Sequence, residues 1–351
     1  MAPRKRKPPP APFPEWGLPP LIHQEAVADF LGLYPGELAW LADVHGREAR
    51  VPAGPLRHYV YRWIPKAAGR WRLIEMPKSR LKATQQRLLH HLLDRVPPHD
   101  AAHAFRKGRS VVTFARPHCG REVVLRFDLK DFFPSVPASR VHALFARLGY
   151  TTPVARLLAG LCTNVVPDDA CRPETTWHER KRLRSPHLPQ GAPTSPALAN
   201  LCARRLDARL DGLARSVGAD YTRYADDLAF SGGAALERAA GRFPVVVATI
   251  ALEEGFEVNT HKTRVLRRGV RQQLAGVVVN AHPNVRRADY DRLKATLTNC
   301  VRHGPVPENR DGHGDFRSHL LGRIAHVGRL NPARGRRLRE VFDRIDWDRR
   351  P

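Results

Sequence analysis

Apolar residues recur at helical spacing at Val27, Phe30 and Leu31, and again at Leu38 and Leu41, with Tyr34-Pro35-Gly36 as a break between the two runs. Residues 21–58 are therefore expected to form a helical lead-in. At Tyr59 the period shortens. The stretch YVYRWIPKAAGRWRLIEMPK reads as two strands around the turn Lys66-Ala67-Ala68-Gly69, a basic hairpin. Helical spacing returns in LKATQQRLLHHLLDRV, with Leu88, Leu89, Leu92 and Leu93 along one face. Strand-like and helical runs then alternate over 120–280, which predicts a mixed α/β module, and beyond Pro283 the pattern is helical again. Residues 1–20 follow neither period. There Pro8, Pro9, Pro10, Pro12 and Pro14 stand beside Arg4, Lys5, Arg6 and Lys7, a composition that makes no core and predicts an extended basic arm. No internal repeat is present.

Two of these runs carry acids where burial makes acids costly. In REVVLRFDLKDFFPSV, the apolar residues Val123, Val124, Leu125 and Phe127 predict a buried strand ending at Asp128, whose charge then needs a partner or a metal. In ADYTRYADDLAFSG, two short strands flank Ala225-Asp226-Asp227, so a second and third carboxylate fall at a tight hairpin turn. Three converging carboxylates repel one another, and a pair of hard divalent cations such as Mg²⁺ relieves the repulsion.

Three further segments stand in order with these. HLPQGAPTSPALANLCARRLDARLDGL predicts a helix with Ser195 as N-cap, Pro196 at its first position and Leu198, Leu201, Leu206, Leu210 and Leu213 inward. Gln190-Gly191 then lie in the loop ahead of it, where backbone can closely approach a nucleotide. EEGFEVNTHKTRVL ends a helix at Gly255 and leaves Lys262 in a loop within reach of a phosphate. QLAGVVVN predicts one more strand.

The charge balance fits such chemistry. Lysine and arginine number 59 against 34 acidic residues, a formal +25 with a sequence pI near 10.9, and a polyanionic partner explains the excess through counterion release. Residues 285–351 alone hold 16 Lys or Arg against 9 Asp or Glu. The five cysteines (Cys119, Cys162, Cys171, Cys202 and Cys300) show no zinc spacing, and Cys162, Cys171, His178 and His187 match no metal pattern, so reduced thiols in a cytoplasmic protein are expected. No apolar run is long enough to span a membrane, and the basic start has no apolar stretch behind it.

In this order the segments resemble the bacterial reverse transcriptases, most closely the retron type. FDLKDFF resembles the palm strand with the first metal-binding aspartate, QGAPTSPALANL the template- and nucleotide-contacting loop and helix, and YADD the catalytic turn. GFEVNTHKTRV and LAGVVVN resemble the two motifs that follow, so the likeness runs from about Trp63 to Asn280. It implies an α/β (α+β) right hand of fingers, palm and thumb with helical N- and C-terminal parts. The implied limits are a basic arm over 1–20, a helical lead-in over 21–58, fingers over 59–120, a palm over 121–283 with an interleaved fingers segment over about 140–195, and a basic helical thumb over 284–351.

The resemblance also implies a site. Asp128, Asp226 and Asp227 would be catalytic and, with the Leu129 carbonyl, would hold two Mg²⁺ ions, with Mn²⁺ as a substitute. Lys66 and Arg72 would grip the β- and γ-phosphates, the backbone amides of Asp131 and Phe132 the triphosphate, and Gln190 the incoming nucleotide. Phe133 would crowd the sugar 2′ position and so favour deoxynucleotides. Lys262 would protonate the leaving pyrophosphate. The implied partners are dNTPs, an RNA template supplied by a dedicated structured noncoding RNA, the RNA–DNA duplex and a separate effector protein, in an antiphage defence system.

Two stretches depart from the retron pattern. Phe114-Ala115-Arg116-Pro117-His118 lacks the asparagine that opens the Asn-Ala-x-x-His signature, and Leu274-Ala275-Gly276 stands where Val-Thr-Gly is usual. A polymerase with another template or primer, and a nonenzymatic RNA-binding scaffold, are the alternatives. No protease, integrase, ribonuclease H or zinc-bearing endonuclease segment is visible in the chain, which points away from a retroviral or mobile-intron polyprotein.

Overall fold

A computed structural model describes residues 16–65 and 71–348. Most of the expected basic arm and the whole turn of the first hairpin, Lys66 included, lie outside the described residues. The chain divides into two compact units. One comprises Met1–Phe105, Leu129–Arg209 and Val247–Val258, the other Arg106–Asp128, Leu210–Val246 and Asn259–Pro351.

The first unit opens with helices Gln24–Leu31 and Pro35–Leu41. Pro35, expected to separate them, instead starts the second, because proline's missing N–H costs nothing in a first helical turn. The break is made earlier by Gly32 at φ 64°, with Leu33 N–H donating back to the Ala28 carbonyl at 2.9 Å. Strands β1 (Tyr59–Pro65) and β2 (Trp71–Pro77) pair antiparallel from Tyr59↔Pro77 to Pro65↔Trp71, the hairpin the alternation predicts. Helices Ser79–His91, Ala138–Arg147, Thr152–Cys162, Trp177–Leu183 and Ser195–Cys202 complete this unit's longer elements.

Ser195 is not the N-cap. Thr194 holds that place, and the Ser195 hydroxyl donates to the Pro189 carbonyl at 2.7 Å, tying the helix start to the loop ahead of it. The long helix expected from 195 to 213 also breaks at Ala203 and resumes as Arg204–Ser216.

The second unit is built on a four-stranded antiparallel sheet: β3 (Val123–Asp128), β4 (Asp220–Tyr224), β5 (Asp227–Gly232) and β6 (Arg264–Arg267), in the order β4-β5-β3-β6. Alternation sorts its side chains. Val123, Leu125 and Phe127 share a face with Phe230, which meets Phe127 edge-on at 5.6 Å between ring centroids and also touches Tyr221 and Phe243. Val124 and Ala229, on the other face, join a core made with Phe114, Leu293, Leu297, Ile324 and Phe342.

His118 closes that second face. Its Nε2 lies 2.7 Å from Thr222 Oγ1 and its Nδ1 2.7 Å from Ser231 Oγ. The Thr222 hydroxyl proton goes to the Phe114 carbonyl at 3.0 Å, so the network assigns the imidazole proton to Nε2 and leaves Nδ1 to accept from Ser231. One buried histidine thus pins β4 to β5.

QLAGVVVN, expected as a single strand, is a miniature hairpin, β7 (Gln273–Leu274) and β8 (Val277–Val278). Ala275 and Gly276 both take positive φ, 43° and 87°, which folds the chain back between them. Helices Arg287–His303, Phe316–Leu330 and Pro332–Phe342 follow, as the periodicity predicts. The last two are separated at Asn331, whose side chain accepts from Arg334 N–H at 3.1 Å to cap the second.

All five cysteines are unpaired, as expected. Among the described residues no helix is long and apolar enough to cross a membrane.

Candidate active site

The acids singled out in the sequence meet at one end of the four-stranded sheet. Antiparallel register sets Asp128, the last residue of β3, directly opposite Asp227, the first of β5. Tyr224↔Asp227 is the closing pair of the β4–β5 hairpin, which leaves Ala225 and Asp226 as its two turn residues. Ala225 sits at φ 55°, a left-handed conformation that costs an alanine about 1–2 kcal/mol and is retained where a tight turn must aim its neighbour.

Asp128 and Asp227 each have a cationic partner. Asp128 is buried. Its carboxylate accepts from Lys262 Nζ at 2.7 Å and from Asn259 Nδ2 at 3.3 Å, while its carbonyl accepts Asn259 N–H at 2.7 Å. Lys262 itself ends a single turn, Thr260–Lys262. Asp227 accepts from Arg126 Nε at 3.0 Å, from the same sheet face two residues before Asp128.

Burial, and then the neighbouring charge of Asp227, raise the Asp226 carboxyl above the ordinary aspartate range. Burial also raises Asp227, with Arg126 opposing and Asp128 adding to the effect.

The donor set suits a hard cation. It is all oxygen and crowded, with three carboxylates against one ammonium, Lys262, and one guanidinium, Arg126. Among the described residues, no group of three His, Cys, Asp or Glu side chains is arranged to hold a metal ion as it stands, neither the three aspartates nor Cys162, Cys171, His178 and His187.

The other predicted site residues belong to the first unit. Leu129 is buried and bridges to Val258. Arg72, opposite Ile64 in the hairpin, lines a small cavity of about 30 Å³ with Trp71, Asp131, Arg182 and Gln190. Asp131 takes φ 44° and pairs with Arg182 at 2.6 Å. Phe132 is buried against Phe256, and the half-buried Phe133 leans on Phe132 and Phe105 at 5.6 and 6.1 Å.

Gln190 is held by its backbone. Its N–H donates to Glu75 Oε1 at 3.3 Å and its carbonyl accepts from Glu75 N–H at 2.9 Å. The glycine after it has a packing reason of its own. A Cβ on Gly191, at φ 137°, would stand 2.7 Å from the Glu75 carbonyl oxygen, so the close approach is to β2.

Sequence reasoning missed Arg126, Asn259, Arg182, Glu75 and His187. Arg126 was within reach, because in RFDLKD it shares a strand face with Asp128. Glu75 and His187 are 112 residues apart, and nothing in the linear pattern pairs them.

Residues 64–287 match the family described as reverse transcriptase (RNA-dependent DNA polymerase). The chain is 45% identical over 325 residues to the retron Mx65 reverse transcriptase of Myxococcus xanthus, covering 92% of this chain and 72% of that protein. It is 39% identical to the retron Mx162 reverse transcriptase of the same organism, over 91% of this chain and 66% of that one. Against the retron Ec86 reverse transcriptase of Escherichia coli the identity is 33%, over 65% of each chain.

Proposed function

Because the chain belongs to the reverse transcriptase (RNA-dependent DNA polymerase) family, we propose that it copies a structured noncoding RNA into DNA by nucleotidyl transfer at Asp128, Asp226 and Asp227. The observation that carries this reading is the strand register that sets Asp128 opposite Asp227 with Asp226 in the adjoining turn. The fingers in this reading are 59–120 with an interleaved segment over about 140–195, the palm is the rest of 121–283, and the thumb is 284–351.

In this reading Asp128, Asp226, Asp227 and the Leu129 carbonyl hold two divalent cations, Mg²⁺ with Mn²⁺ as a substitute. When bound, these cations supply Lewis acidity toward the primer hydroxyl and the triphosphate. Arg126 restrains the Asp227 carboxylate and keeps the crowded acids from turning apart. Lys262, resting on Asp128, is the proton donor to the pyrophosphate as the bond to the α-phosphorus breaks. Arg72, Lys66 and the backbone of Asp131 and Phe132 bind the triphosphate, and Gln190 orients the nucleotide. Catalysis is then mainly placement and charge stabilisation.

The likeness to reverse transcriptases named for retrons, at up to 45% identity, supports this reading; a dedicated RNA as template, a separate effector chain, a role in antiphage defence and a cytoplasmic location are parts of the proposal. The test is isolation of the protein from its native operon, extraction of bound nucleic acid, and incorporation of labelled dNTPs with Mg²⁺. DNA made on the co-purified RNA, and stopped by EDTA, is the expected result. RNA binding without DNA synthesis on any supplied template and primer would turn the assignment to a scaffold.

Phe133 tests the sugar preference. Phe133→Ala opens the space beside the 2′ carbon, and discrimination against ribonucleotides, read as the ratio of kcat/KM values, is expected to fall about 10- to 100-fold. An unchanged ratio would return Phe133 to the aromatic cluster as a packing residue.

A further inference from the structure

Beneath the fingers hairpin lies an ion pair that the proposed chemistry does not use. Glu75 on β2 and His187 are each 1% exposed, with His187 Nε2 at 3.1 Å from Glu75 Oε1. His187 Nδ1 lies 2.7 Å from the Ser185 carbonyl, an oxygen that can only accept. One ring nitrogen therefore faces a carbonyl and the other a carboxylate, so both donate and the ring is the imidazolium. Burial works against that charge, and Glu75 with the Ser185 carbonyl more than offsets it, leaving His187 above its usual pKa.

Glu75 has two further donors. Asn164 Nδ2 reaches its Oε2 at 2.7 Å and also bonds the Tyr61 hydroxyl at 3.1 Å, while the Gln190 N–H reaches Oε1 at 3.3 Å. Asn164 Oδ1 is buried with no partner among the described residues, so the amide is oriented by the carboxylate at the cost of its own oxygen.

Backbone bonds lock the same pieces. Asn164 and His187 exchange N–H···O bonds at 2.9 and 3.0 Å, Leu188 N–H donates to Val136 at 3.0 Å, and Glu75 N–H donates to Gln190 at 2.9 Å. Only Leu188 and Pro189 separate His187 from Gln190.

A buried ion pair seldom stabilises a fold more than apolar residues of the same volume, and its distinctive effect is a fixed geometry. Resting on the reading that Gln190 touches the incoming nucleotide, we infer that the buried Glu75–His187 pair, with Asn164, is the positioning device that sets Gln190 and so governs nucleotide affinity. Glu75 and His187 are positioning residues here. Neither touches the nucleotide, and both act through the loop at 187–191.

The test is steady-state kinetics with poly(rA)·oligo(dT), Mg²⁺ and varied dTTP, at a temperature well below each variant's melting point. Glu75→Ala is expected to raise KM for dTTP about tenfold with kcat within about threefold of the parent. Glu75→Gln keeps an acceptor for the Gln190 N–H and lets Asn164 turn its oxygen to the new amide, so it is expected to rescue KM to within about threefold.

Gln190→Ala supplies the decisive arm. Glu75 acting through Gln190 makes the two changes non-additive, so adding Glu75→Ala to Gln190→Ala leaves KM where Gln190→Ala alone put it. If Glu75→Ala does not fold, the same comparison is made with Asn164→Ala, which takes the amide donor from Glu75 Oε2 and is expected to raise KM in the same direction. KM effects that multiply, or a loss confined to kcat, or a Gln190→Ala enzyme with raised KM beside a Glu75→Ala or Asn164→Ala enzyme with none, would overturn the inference alone. An unchanged KM in Gln190→Ala would overturn the nucleotide contact as well.

Discussion

Asp226→Ala and Asp227→Ala introduced together are expected to reduce dNTP incorporation about a thousandfold or more, since the changes remove two of the three carboxylates from which the proposed cation site is built. Nucleic-acid binding should survive. The formal charge of +25 lies elsewhere in the chain, and affinity should still fall steeply with salt in parent and variant alike.

The same double variant carries a stability prediction of opposite sign. Both carboxyls titrate above the ordinary range, burial being the first cause, so ionising them costs more in the folded protein than in the unfolded chain. Whatever stability they confer is present below the ordinary carboxylate pKa and is lost as pH rises through their raised values. At neutral pH, without divalent ions, alanine removes a penalty. Arg126 loses a partner, but it is about a third exposed, and water takes up most of that loss.

Thermal unfolding in EDTA at pH 7 should therefore show the inactive variant melting at or above the parent temperature. Loss of activity together with a clearly lower melting point would mean that the pair holds the fold, and the catalytic assignment would lose its support. Full activity in the variant would remove the site altogether.

Gly335→Ala is expected to destabilise the C-terminal helices by about 2 kcal/mol, although alanine is the better helix former by about 1 kcal/mol. A Cβ at Gly335 would stand 2.3 Å from Gly328 Cα and 2.9 Å from Gly328 N. Those are backbone atoms, and neither helix can yield as a side chain does. Phe316–Leu330 and Pro332–Phe342 would have to separate, opening the core that Leu330, Leu338 and Phe342 fill.

Gly322, on the same helix as Gly328, is the control. A Cβ there meets nothing within 4 Å, so Gly322→Ala should stabilise by up to about 1 kcal/mol. Urea unfolding midpoints at equal slope read both effects. Equal shifts for the two substitutions would show that propensity, rather than the close approach of the helices, decides the outcome.

The sequence by itself determined the elements whose pattern is local and the chemistry those elements carry. β3 and the β4–β5 hairpin were readable because period-two alternation names the inward residues, and an acid ending such a run is out of place unless it has a use. The ordered motifs from FDLKDFF to LAGVVVN then pointed to the family that residues 64–287 match. Local signals misled where two residue properties compete. Pro35 is both a breaker and a helix starter, and only the left-handed Gly32 ahead of it decided which role it takes. Ala275-Gly276 sat inside an apolar run, and the turn there shows only in its backbone angles.

What tertiary structure alone decided is pairing across long separations. Lys262 rests on Asp128 across 134 residues, Arg126 on Asp227 across 101, and Glu75 on His187 across 112. No periodicity encodes such partners, because a charge reads the same in sequence whether it faces water or another charge. Burial makes the difference, since a carboxylate taken out of water must find a donor, and which donor it finds is settled by the fold that brings the two together.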